Sequence, residues 1–591
     1  MSLKKFLLSC YKYAFVYNLI LLVLQLVTAL SVPILIFVQT KLIDTASNYF
    51  EGNILYILLP ILIVYFIINY LDTANIQIGN LIKLKILHIL DRNITSKYLK
   101  NICSVTFDAF DNENTHNKMM MINTQLPQIL NFLITLIPNT IKATIILVSI
   151  FCFILNSGIW WAFPLSILFS IPSFYFNKQR VILLRKSRKR NSHEIRHADY
   201  LSSVLLNKEA SKERRLFGFI SYFIEIWQIE FQKYYKQSIW IFIKTTLTIG
   251  IAMCFSMLPI IIIGTALLFP LKSGGISIGF YTSLIMAVAF RLNACIYEIV
   301  TEYSNFLKIK HFFTDYNYIH NLKKVNILQK YTQKKIIFEN LTFKDVFFKY
   351  PFSENMILKG VTFEINKGEH HALVGINGAG KTTITKLMLG LYKPTKGSIN
   401  LNGIEINNFD YQSIQQIFSM IMQNPGLYKS TLMENLTLYS INNDQQEMKK
   451  LDLLLQKTHS FEIKNKLKFG YQTNLTTELK DGINLSGGEW QKIQLVRLLY
   501  SNRDFIILDE PAASLDPLAE VKFYNEYHEV MKDKTALFIT HRLGSTHLFN
   551  NCMVLSDGVI IEKGSYDSLL LKNGIFKNLF EKQKDLYIEL D

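Results

Sequence analysis

Cysteine is scarce in this sequence, and its few positions follow no metal-binding or disulfide-rich pattern. The 591 residues contain six cysteines, none in C-x-x-C spacing, at positions 10, 103, 152, 254, 295 and 552. This argues against a disulfide framework or a zinc site and fits a chain that mostly faces a reducing cytosol. We also expect no cleavable signal peptide, because the first apolar run (14–43) is far longer than the apolar core of one.

Acidic residues are scarce in the first half of the chain. The net charge is +17, and residues 1–325 contain 32 Lys and Arg against 16 Asp and Glu, whereas 326–591 contain 31 against 30. A nucleic-acid-binding protein would concentrate its basic residues on a polar surface. Here the basic excess lies in the apolar half, where basic loops set membrane orientation, so the charge does not indicate nucleic acid.

Long apolar runs are abundant. Half of the residues are hydrophobic and the mean hydropathy is +0.20. Six stretches are long enough to span a bilayer, and they lie near 14–40, 53–75, 129–153, 157–177, 243–270 and 276–300. Short links alternate with two long polar ones, 76–128 and 178–242. The second long link begins "KQRVILLRKSRKR", with seven basic residues in thirteen, which predicts that both termini and both long links are cytoplasmic.

A domain boundary is predicted near residue 325. Residues 1–325 would form a transmembrane domain with six helices and two long intracellular loops. From "IIFENLTFKDVFFKYP" onward, strand and helix signals interleave, which predicts an α/β domain over 326–591.

The stretch "LVGINGAGKTT" at 373–383 fits the phosphate-binding pattern G-x-x-x-x-G-K-[ST] between a strand and a helix. Backbone amides would surround the phosphates, Lys381 would supply a cation, and Thr382 would offer its hydroxyl to Mg²⁺. The predicted nucleotide-binding residues of this loop are Gly375, Ile376, Asn377, Gly378, Ala379, Gly380, Lys381, Thr382 and Thr383.

A second strand, "DFIILDEP", ends in Asp509 and Glu510. A strand of this kind beside a phosphate loop can hold Mg²⁺ through Asp509, and Glu510 is then placed to orient or deprotonate the attacking water.

"NLSGGEWQK" at 484–492 predicts a second anion site at a helix N-terminus. Because one chain already has a phosphate cradle, a second site implies that two copies meet over the nucleotide. This stretch resembles the signature motif of ABC-type ATPases, with Glu489 where glutamine is commoner. The motif residues that would face the partner's ATP are Leu485, Ser486, Gly487, Gly488 and Glu489.

The resemblance implies roles for further residues. Tyr350 in "FFKYP" would stack on adenine, and Gln423 in "IMQNPGLY" would touch Mg²⁺ and relay to the membrane domain. Ser514 and Asp516 in "SLD" would lie in the dimer-interface loop. His541 in "FITHRL" would sense the γ-phosphate, although a histidine at the end of an apolar strand is often structural. Glu478 in "TELKDG" would meet an intracellular loop.

Six spans followed by one ATPase domain resemble the half-transporter of ABC exporters. The resemblance implies a Mg²⁺-dependent ATP hydrolase coupled to transport across a bacterial cytoplasmic membrane, with the N-terminus and the ATPase domain in the cytosol. A dimer is required, and the intact motifs favour a homodimer over pairing with a degenerate partner. Segments 107–118 and 212–223 are candidate transmission segments, with ordinary helix–loop surface as the alternative.

The cargo is less defined. Lys142 and Arg291 lie roughly 18 and 22 Å below the outer ends of their spans at 1.5 Å per residue, and they are candidate cavity residues for a carboxylate-bearing substrate. The alternative is that they meet water, lipid phosphate or Glu298.

The chain resembles peptide exporters of the lantibiotic and bacteriocin class. About a dozen residues precede the first span, so we expect no N-terminal peptidase domain, and a separate leader protease is a candidate partner. Two alternatives stay open: a lipid or multidrug exporter, and a non-transporting role in which ATP-driven closure gates a channel or regulates a bound protein.

Overall fold

The computed structural model describes residues 2–48, 54–190, 192–207, 210–325, 336–423, 426–438, 445–511, 523–524, 527–528 and 531–588. Contacts between Cα atoms divide the chain into two compact units. The first contains Met1–Cys103 and Glu113–Leu322, and the second contains Ser104–Asn112 and Lys323–Asp591. The predicted boundary near 325 stays a prediction. The assignment of 104–112 to the second unit was not foreseen from the sequence.

The first unit is built from helices, and several of them are longer than a bilayer is thick. Its helices are α1 (Leu3–Tyr13), α2 (Phe15–Asn48), α3 (Ile54–Cys103), α4 (Glu113–Asn156), α5 (Ala162–Arg190), α6 (Ser192–Leu206), α7 (Ser211–Phe217), α8 (Ile220–Lys272), α9 (Ile278–Met286) and α10 (Asn293–Asn321). A π-helical turn, Ala287–Leu292, joins α9 to α10. A long helix pairs nearly all of its backbone groups internally, which the hydrocarbon phase demands.

Five helical stretches within the described residues are long and apolar enough to cross a membrane: Phe15–Ser47, Tyr56–Cys103, Glu113–Asn156, Ile220–Lys272 and Ile278–Asn321. They contain five of the six predicted spans. The remaining stretch, 157–177, lies mostly in α5, whose 29 residues would extend about 43 Å at 1.5 Å per residue. The sixth crossing stays a prediction.

One large apolar cluster joins several helices of the first unit. Buried side chains from α1, α3, α4 and α10 meet there, among them Phe6, Leu90, Ile122, Leu130 and Phe312. In water such burial stabilises by about 1.5–3 kcal/mol per large side chain. The cluster therefore packs these helices against one another.

The second unit contains two sheets. Strands β1 (Asn340–Phe348), β2 (Leu358–Asn366), β4 (Lys396–Leu401) and β5 (Ile404–Glu405) form an antiparallel sheet in the order β2-β1-β4-β5. The other sheet has the order β10-β9-β3-β8-β7-β6 and contains β3 (His370–Val374), β6 (Phe418–Ile421), β7 (Phe505–Asp509), β8 (Thr535–Thr540), β9 (Asn551–Ser556) and β10 (Val559–Gly564). All its pairings are parallel except that between β9 and β10.

Helices cover the six-stranded sheet, so its central strands β3, β7 and β8 are buried along their whole length. The helices are α11 (Lys381–Met388), α12 (Tyr411–Ile417), α13 (Leu432–Thr437), α14 (Gln445–Lys457), α15 (Phe461–Lys466), α16 (Gly487–Ser501), α17 (Tyr566–Leu571) and α18 (Ile575–Ile588). Helices α13 to α16 share a separate apolar cluster that includes Leu436, Leu455 and Val496. The predicted fold class, helical spans followed by an α/β ATPase-like domain, is confirmed in architecture.

Candidate functional site

The candidate site lies at the carboxyl ends of the parallel strands. Because β3, β8, β7 and β6 are neighbours and run the same way, the residues that follow them meet at one edge of the sheet. These are the phosphate loop after β3, Asp509 and Glu510 at the end of β7, His541 after β8 and Gln423 after β6. Ligands of open parallel sheets bind at such edges.

Glycine is required at two positions of the loop. A Cβ on Gly375 would lie 2.3 Å from the backbone oxygen of Leu555. Gly380 has φ +108°, and a Cβ there would lie 2.8 Å from the Leu358 side chain. The loop passes directly into α11, whose first free amides point toward an anion bound at this place.

Lys381 is buried, with 6% of its surface exposed. Its Nζ donates to the carbonyl oxygens of Gly375 at 2.8 Å and Ile376 at 3.2 Å, and it lies 4.0 Å from a Glu510 oxygen. Burial lowers the pKa of Lys381, while the Glu510 and Asp509 carboxylates act in the opposite direction. The ammonium group is thus held beside the loop in a setting where an added phosphate would stabilise its charge.

Asp509 is 2% exposed. Burial, followed by the charge of Glu510, raises the pKa of Asp509, and a hydrogen bond with Thr382 opposes this shift. A carboxylate and a hydroxyl held together in this way are oxygen ligands that suit Mg²⁺, which needs few protein ligands when phosphates and waters complete its shell. A divalent cation would also offset the repulsion between the two neighbouring carboxylates.

Two further predicted site residues, Gln423 and His541, both contact the Glu510 carboxylate. Gln423 Nε2 donates to one of its carboxylate oxygens at 2.8 Å, and His541 Nδ1 lies 3.2 Å from the other. The backbone of Glu510 is left-handed, with φ +49°, and its N–H donates to the Ile539 oxygen at 2.9 Å. Strained backbone of this kind occurs at functional sites, because surrounding contacts must hold it.

Glu510, Gln423 and the phosphate loop border an open cleft of about 360 Å³. Its lining residues are Tyr350, Ile357, Asn377, Gly378, Gly380, Lys381, Thr382, Thr383, Gln423 and Glu510. Tyr350 is held in place because its hydroxyl lies 3.0 Å from Thr383 Oγ1 and its ring packs edge-on against Tyr392 at 5.3 Å. The phosphate loop, the Glu510 carboxylate and an aromatic wall thus border one cleft.

Two supporting residues were missed by sequence reasoning. Ile357 lines the cleft, but a lone isoleucine before a strand has no motif. Gln583 in α18 donates to the His541 carbonyl at 2.5 Å and accepts from the Leu543 N–H at 2.9 Å, fixing the turn that carries His541. Nothing in the sequence links it to a turn 42 residues away.

The signature stretch caps α16. Ser486 Oγ accepts from the Glu489 N–H at 3.3 Å, and the Glu489 carboxylate accepts from the Ser486 N–H at 2.9 Å. Lys466 Nζ lies 3.3 Å from the same carboxylate. The backbone hydrogen bond from Ser486 lowers the pKa of Glu489, opposed by burial and supported by the Ser486 hydroxyl and Lys466.

Leu485 packs against the apolar cluster of α13 to α16, so the capped helix start is anchored. Gly487 and Gly488 have open space around them, with no atom within 4 Å of an added Cβ. Within the part of the chain that the structure describes, these residues are not among those lining the cleft. Ser514 and Asp516 lie outside the described residues.

The candidate transmission segment 107–118 begins with a 3₁₀ turn, Phe107–Asp111, which belongs to the second unit. Asp111 accepts a 2.7 Å hydrogen bond from the Tyr392 hydroxyl, and Phe107 packs edge-on against the same ring at 5.5 Å. Burial, together with the hydrogen bond to Asp111, raises the pKa of Tyr392. The candidate segment 212–223 includes most of α7, where Leu216 and Phe217 are 79% and 76% exposed.

The two candidate cavity residues, Lys142 and Arg291, differ in the surroundings of their side chains. Lys142 Nζ forms an ion pair with Glu298 at 2.9 Å, the alternative that the sequence had left open. Arg291 lies in the π-helical turn with an exposed side chain.

Comparison with known proteins identifies the fold and the C-terminal domain. Residues 358–513 match the family model described as ABC transporter. The subtilin transport ATP-binding protein of Bacillus subtilis is 26% identical over 89% of this chain and 85% of that protein. The nisin transport ATP-binding protein of Lactococcus lactis subsp. lactis is 26% identical over 96% of this chain and 94% of that protein. An ATP-dependent lipid A-core flippase of Vibrio parahaemolyticus is 33% identical, over only 41% of each chain.

The structure of a bacterial Atm1-family ABC exporter with ATP bound matches with a TM-score of 0.78 and 19% identity, covering 97% of this chain and 98% of that one. The chain therefore has the fold of an ABC exporter and carries an ABC transporter ATP-binding domain, and the resemblance drawn from the motifs is confirmed.

Proposed function

We propose that this chain is a membrane-embedded ATP hydrolase that exports a peptide of the lantibiotic or bacteriocin class. The observation that carries the ATPase part is the convergence of Gln423, His541 and Lys381 on Glu510 at the mouth of a phosphate loop. The membrane part is supported by the long apolar helices of the first unit.

Each residue at the cleft has a separate proposed role. Lys381 and the loop amides bind the phosphates, and Tyr350 stacks on the adenine of the nucleotide. Thr382, Gln423 and Asp509 are the residues that would hold Mg²⁺, which supplies charge neutralisation of the phosphates when bound. Glu510 orients the attacking water and accepts its proton, while His541 responds to the γ-phosphate.

The site needs a second copy of the chain. The Ser486–Glu489 helix start is exposed and separate from the cleft in one chain, which suits a partner's nucleotide. Closure of two ATPase units would bury both nucleotides, and Ser514 and Asp516 would lie at that interface. We propose a homodimer, because each catalytic position of the motif series carries its functional residue in this chain.

The turn 107–111 is the proposed route from the ATPase site to the membrane helices. Its contact residue Tyr392 packs against Tyr350 at the cleft, and helix α4 begins directly after the turn at Glu113. A nucleotide-dependent shift of the cleft wall would therefore move the end of a long helix. The basic C-terminal end of α5 supports an orientation with the ATPase unit in the cytosol of a bacterial cell.

The cargo assignment rests on how much of the chain each relative matches. The relatives that match along nearly the whole chain, membrane helices included, are named for subtilin and nisin transport. The lipid flippase match covers 41% of the chain, so it leaves most of the chain unmatched. A peptide is therefore the favoured cargo.

Mass spectrometry of medium and cells of the native host tests this proposal. In Glu510→Gln we expect one defined peptide to disappear from the medium and accumulate inside, while ATP binding remains measurable. Glu364→Gln, which changes an exposed glutamate on β2, is the matched control and should export normally. Unimpaired export in Glu510→Gln would refute the catalytic assignment, and a change confined to lipids would favour the flippase alternative.

A further inference from the structure

A cluster of charged groups lies within the membrane helices of the first unit. Lys83 on α3 lies within electrostatic range of Lys142 on α4 and of Glu298 and Glu302 on α10. Cys295, one turn before Glu298, is in range of Lys142, Glu298 and Arg291. Ionisable side chains on membrane helices usually face the interior of a helix bundle or a water-filled cavity.

Both acids of this cluster have partners. Glu298 pairs with Lys142 at 2.9 Å. Glu302 is 4% exposed and accepts from the side-chain amides of Asn139 at 2.8 Å and Asn305 at 3.4 Å. Both carboxylates are therefore paired with side chains of the helix bundle itself.

Arg291 differs from these groups. Its side chain is exposed, and no ion pair or hydrogen bond of it is found within the described ranges. It lies 13 residues beyond Ile278, or about 20 Å along the helix at 1.5 Å per residue, inside a hydrocarbon layer of about 30 Å. An unpaired guanidinium at that depth is costly against lipid, so this face of the helix needs water or an anion.

The local backbone and the neighbouring side chains support a binding face. Arg291 lies in the π-helical turn Ala287–Leu292, a form that is frequent at functional sites. On the same stretch of helix, Met286, Phe290 and Tyr297 are 51%, 73% and 54% exposed. One cation on a helix with exposed methionine and aromatic side chains has the mixed composition of a ligand site, in which a few polar groups are set in apolar surroundings.

We propose that Arg291 is the anion-binding residue of a water-filled transport cavity and takes a carboxylate of the peptide cargo. This rests on the proposed function. In a dimer each copy contributes one such guanidinium, and a bidentate guanidinium–carboxylate pair gives both affinity and orientation. Lys142, neutralised by Glu298, positions the helix and is not a cargo ligand, so the two cavity cations expected from the sequence reduce to one.

Thiol labelling tests the cavity without knowledge of the cargo. Ala294 is exposed and three residues from Arg291. Ala294→Cys is placed in a chain whose six native cysteines are replaced by serine or alanine, reconstituted in phosphatidylcholine liposomes. Its reaction rates with the anionic sulfonatoethyl and the cationic trimethylammonioethyl methanethiosulfonates are then compared.

We expect both reagents to react, with the anionic one favoured, and this preference to fall about three- to tenfold on adding Arg291→Gln. Lys41→Gln, which removes a charge near the C-terminal end of α2, should leave the preference for the anionic reagent unchanged. A thiol that reacts with neither reagent, or a preference that does not depend on Arg291, overturns the proposal.

A second measurement uses the native chain, in case the cysteine-free protein does not fold. In the native host, Arg291→Gln should lower the exported peptide by about tenfold or more, and Arg291→Lys should restore part of it because charge is kept but the bidentate geometry is lost. Normal export in Arg291→Gln, with export lost in Glu510→Gln, overturns this inference alone. Unchanged export in Glu510→Gln instead refutes the proposed function.

Discussion

The hydroxyl of Tyr392 donates a 2.7 Å hydrogen bond to the carboxylate of Asp111, which lies 281 residues earlier in the chain. The same tyrosine ring contacts Phe107 on one side and Tyr350 on the other. A nine-residue segment between two membrane helices is thereby held next to the aromatic wall of the phosphate cleft. Substitutions at Tyr392 can therefore test the proposed route from the ATPase site to the membrane helices.

Tyr392→Phe should weaken this coupling. The ring contacts remain, but the hydrogen bond to a charged acceptor is lost, at a cost of about 1.5–3 kcal/mol. We expect less peptide exported per ATP hydrolysed, measured by parallel export and phosphate-release assays in proteoliposomes. Asp111→Asn keeps an acceptor oxygen and should have a milder effect than Asp111→Ala. An unchanged ratio in Tyr392→Phe, matching a Tyr411→Phe control, would contradict the proposed route.

Glu489 should stabilise the start of α16 in a pH-dependent way. Its pKa in the folded protein lies below its ordinary value of 4.5, so its charge contributes stability above that value, and the contribution is lost as the pH falls through the folded pKa. Glu489→Ala should cost about 0.3–1 kcal/mol at neutral pH, because it removes the N3 partner of the capping box and a negative charge at the helix start. Glu489→Gln, which keeps the capping acceptor, should cost less.

Thermal unfolding between pH 7 and 3.5 provides the measurement for Glu489. The difference in melting temperature between the native protein and Glu489→Gln should shrink at the acidic end. Lys466→Met, which removes the neighbouring cation, should reduce the difference at neutral pH. A difference that is constant across the range would show that the carboxylate charge has no part in capping.

The Lys142–Glu298 pair should behave as one unit. Lys142→Met alone leaves an uncompensated carboxylate in the helix bundle, and Glu298→Gln alone leaves an uncompensated ammonium, so each should destabilise the protein. The double variant should be less destabilised than the sum of the two, by about 0.5–3 kcal/mol. Unfolding in detergent measures all three variants, and strict additivity would mean that the pair does not form in the folded protein.

Gly375→Ala should damage the phosphate loop. The added Cβ would lie 2.3 Å from the Leu555 backbone oxygen, and neither backbone can move without displacing β3 or β9, so a cost of about 1–3 kcal/mol is expected. ATP should then no longer raise the melting temperature. Gly544→Ala is the control, because its Cβ would meet no atom within 4 Å. Normal nucleotide stabilisation in Gly375→Ala would contradict the close packing of the loop.

The predictions from sequence that succeeded rest on local pattern. The phosphate loop, the carboxylate pair after an apolar strand and the serine-capped helix are each encoded within about a dozen residues, and the structure brings the loop, the carboxylates, Gln423 and His541 to one sheet edge. Five of the six apolar stretches lie in helices that can span a membrane by length and composition. The predicted fold class is confirmed because these signals depend on periodicity and length.

The sequence by itself determined which chemistry this chain can perform, because glycine spacing, strand-end carboxylates and apolar run length act through neighbouring residues. Only the tertiary structure decided which distant groups meet: Tyr392 with Asp111, His541 with Gln583, and Lys142 with Glu298. It also separated Lys142, which is neutralised, from Arg291, which is not. Such pairings join residues tens to hundreds of positions apart, and they depend on how helices and strands pack, which no local pattern records.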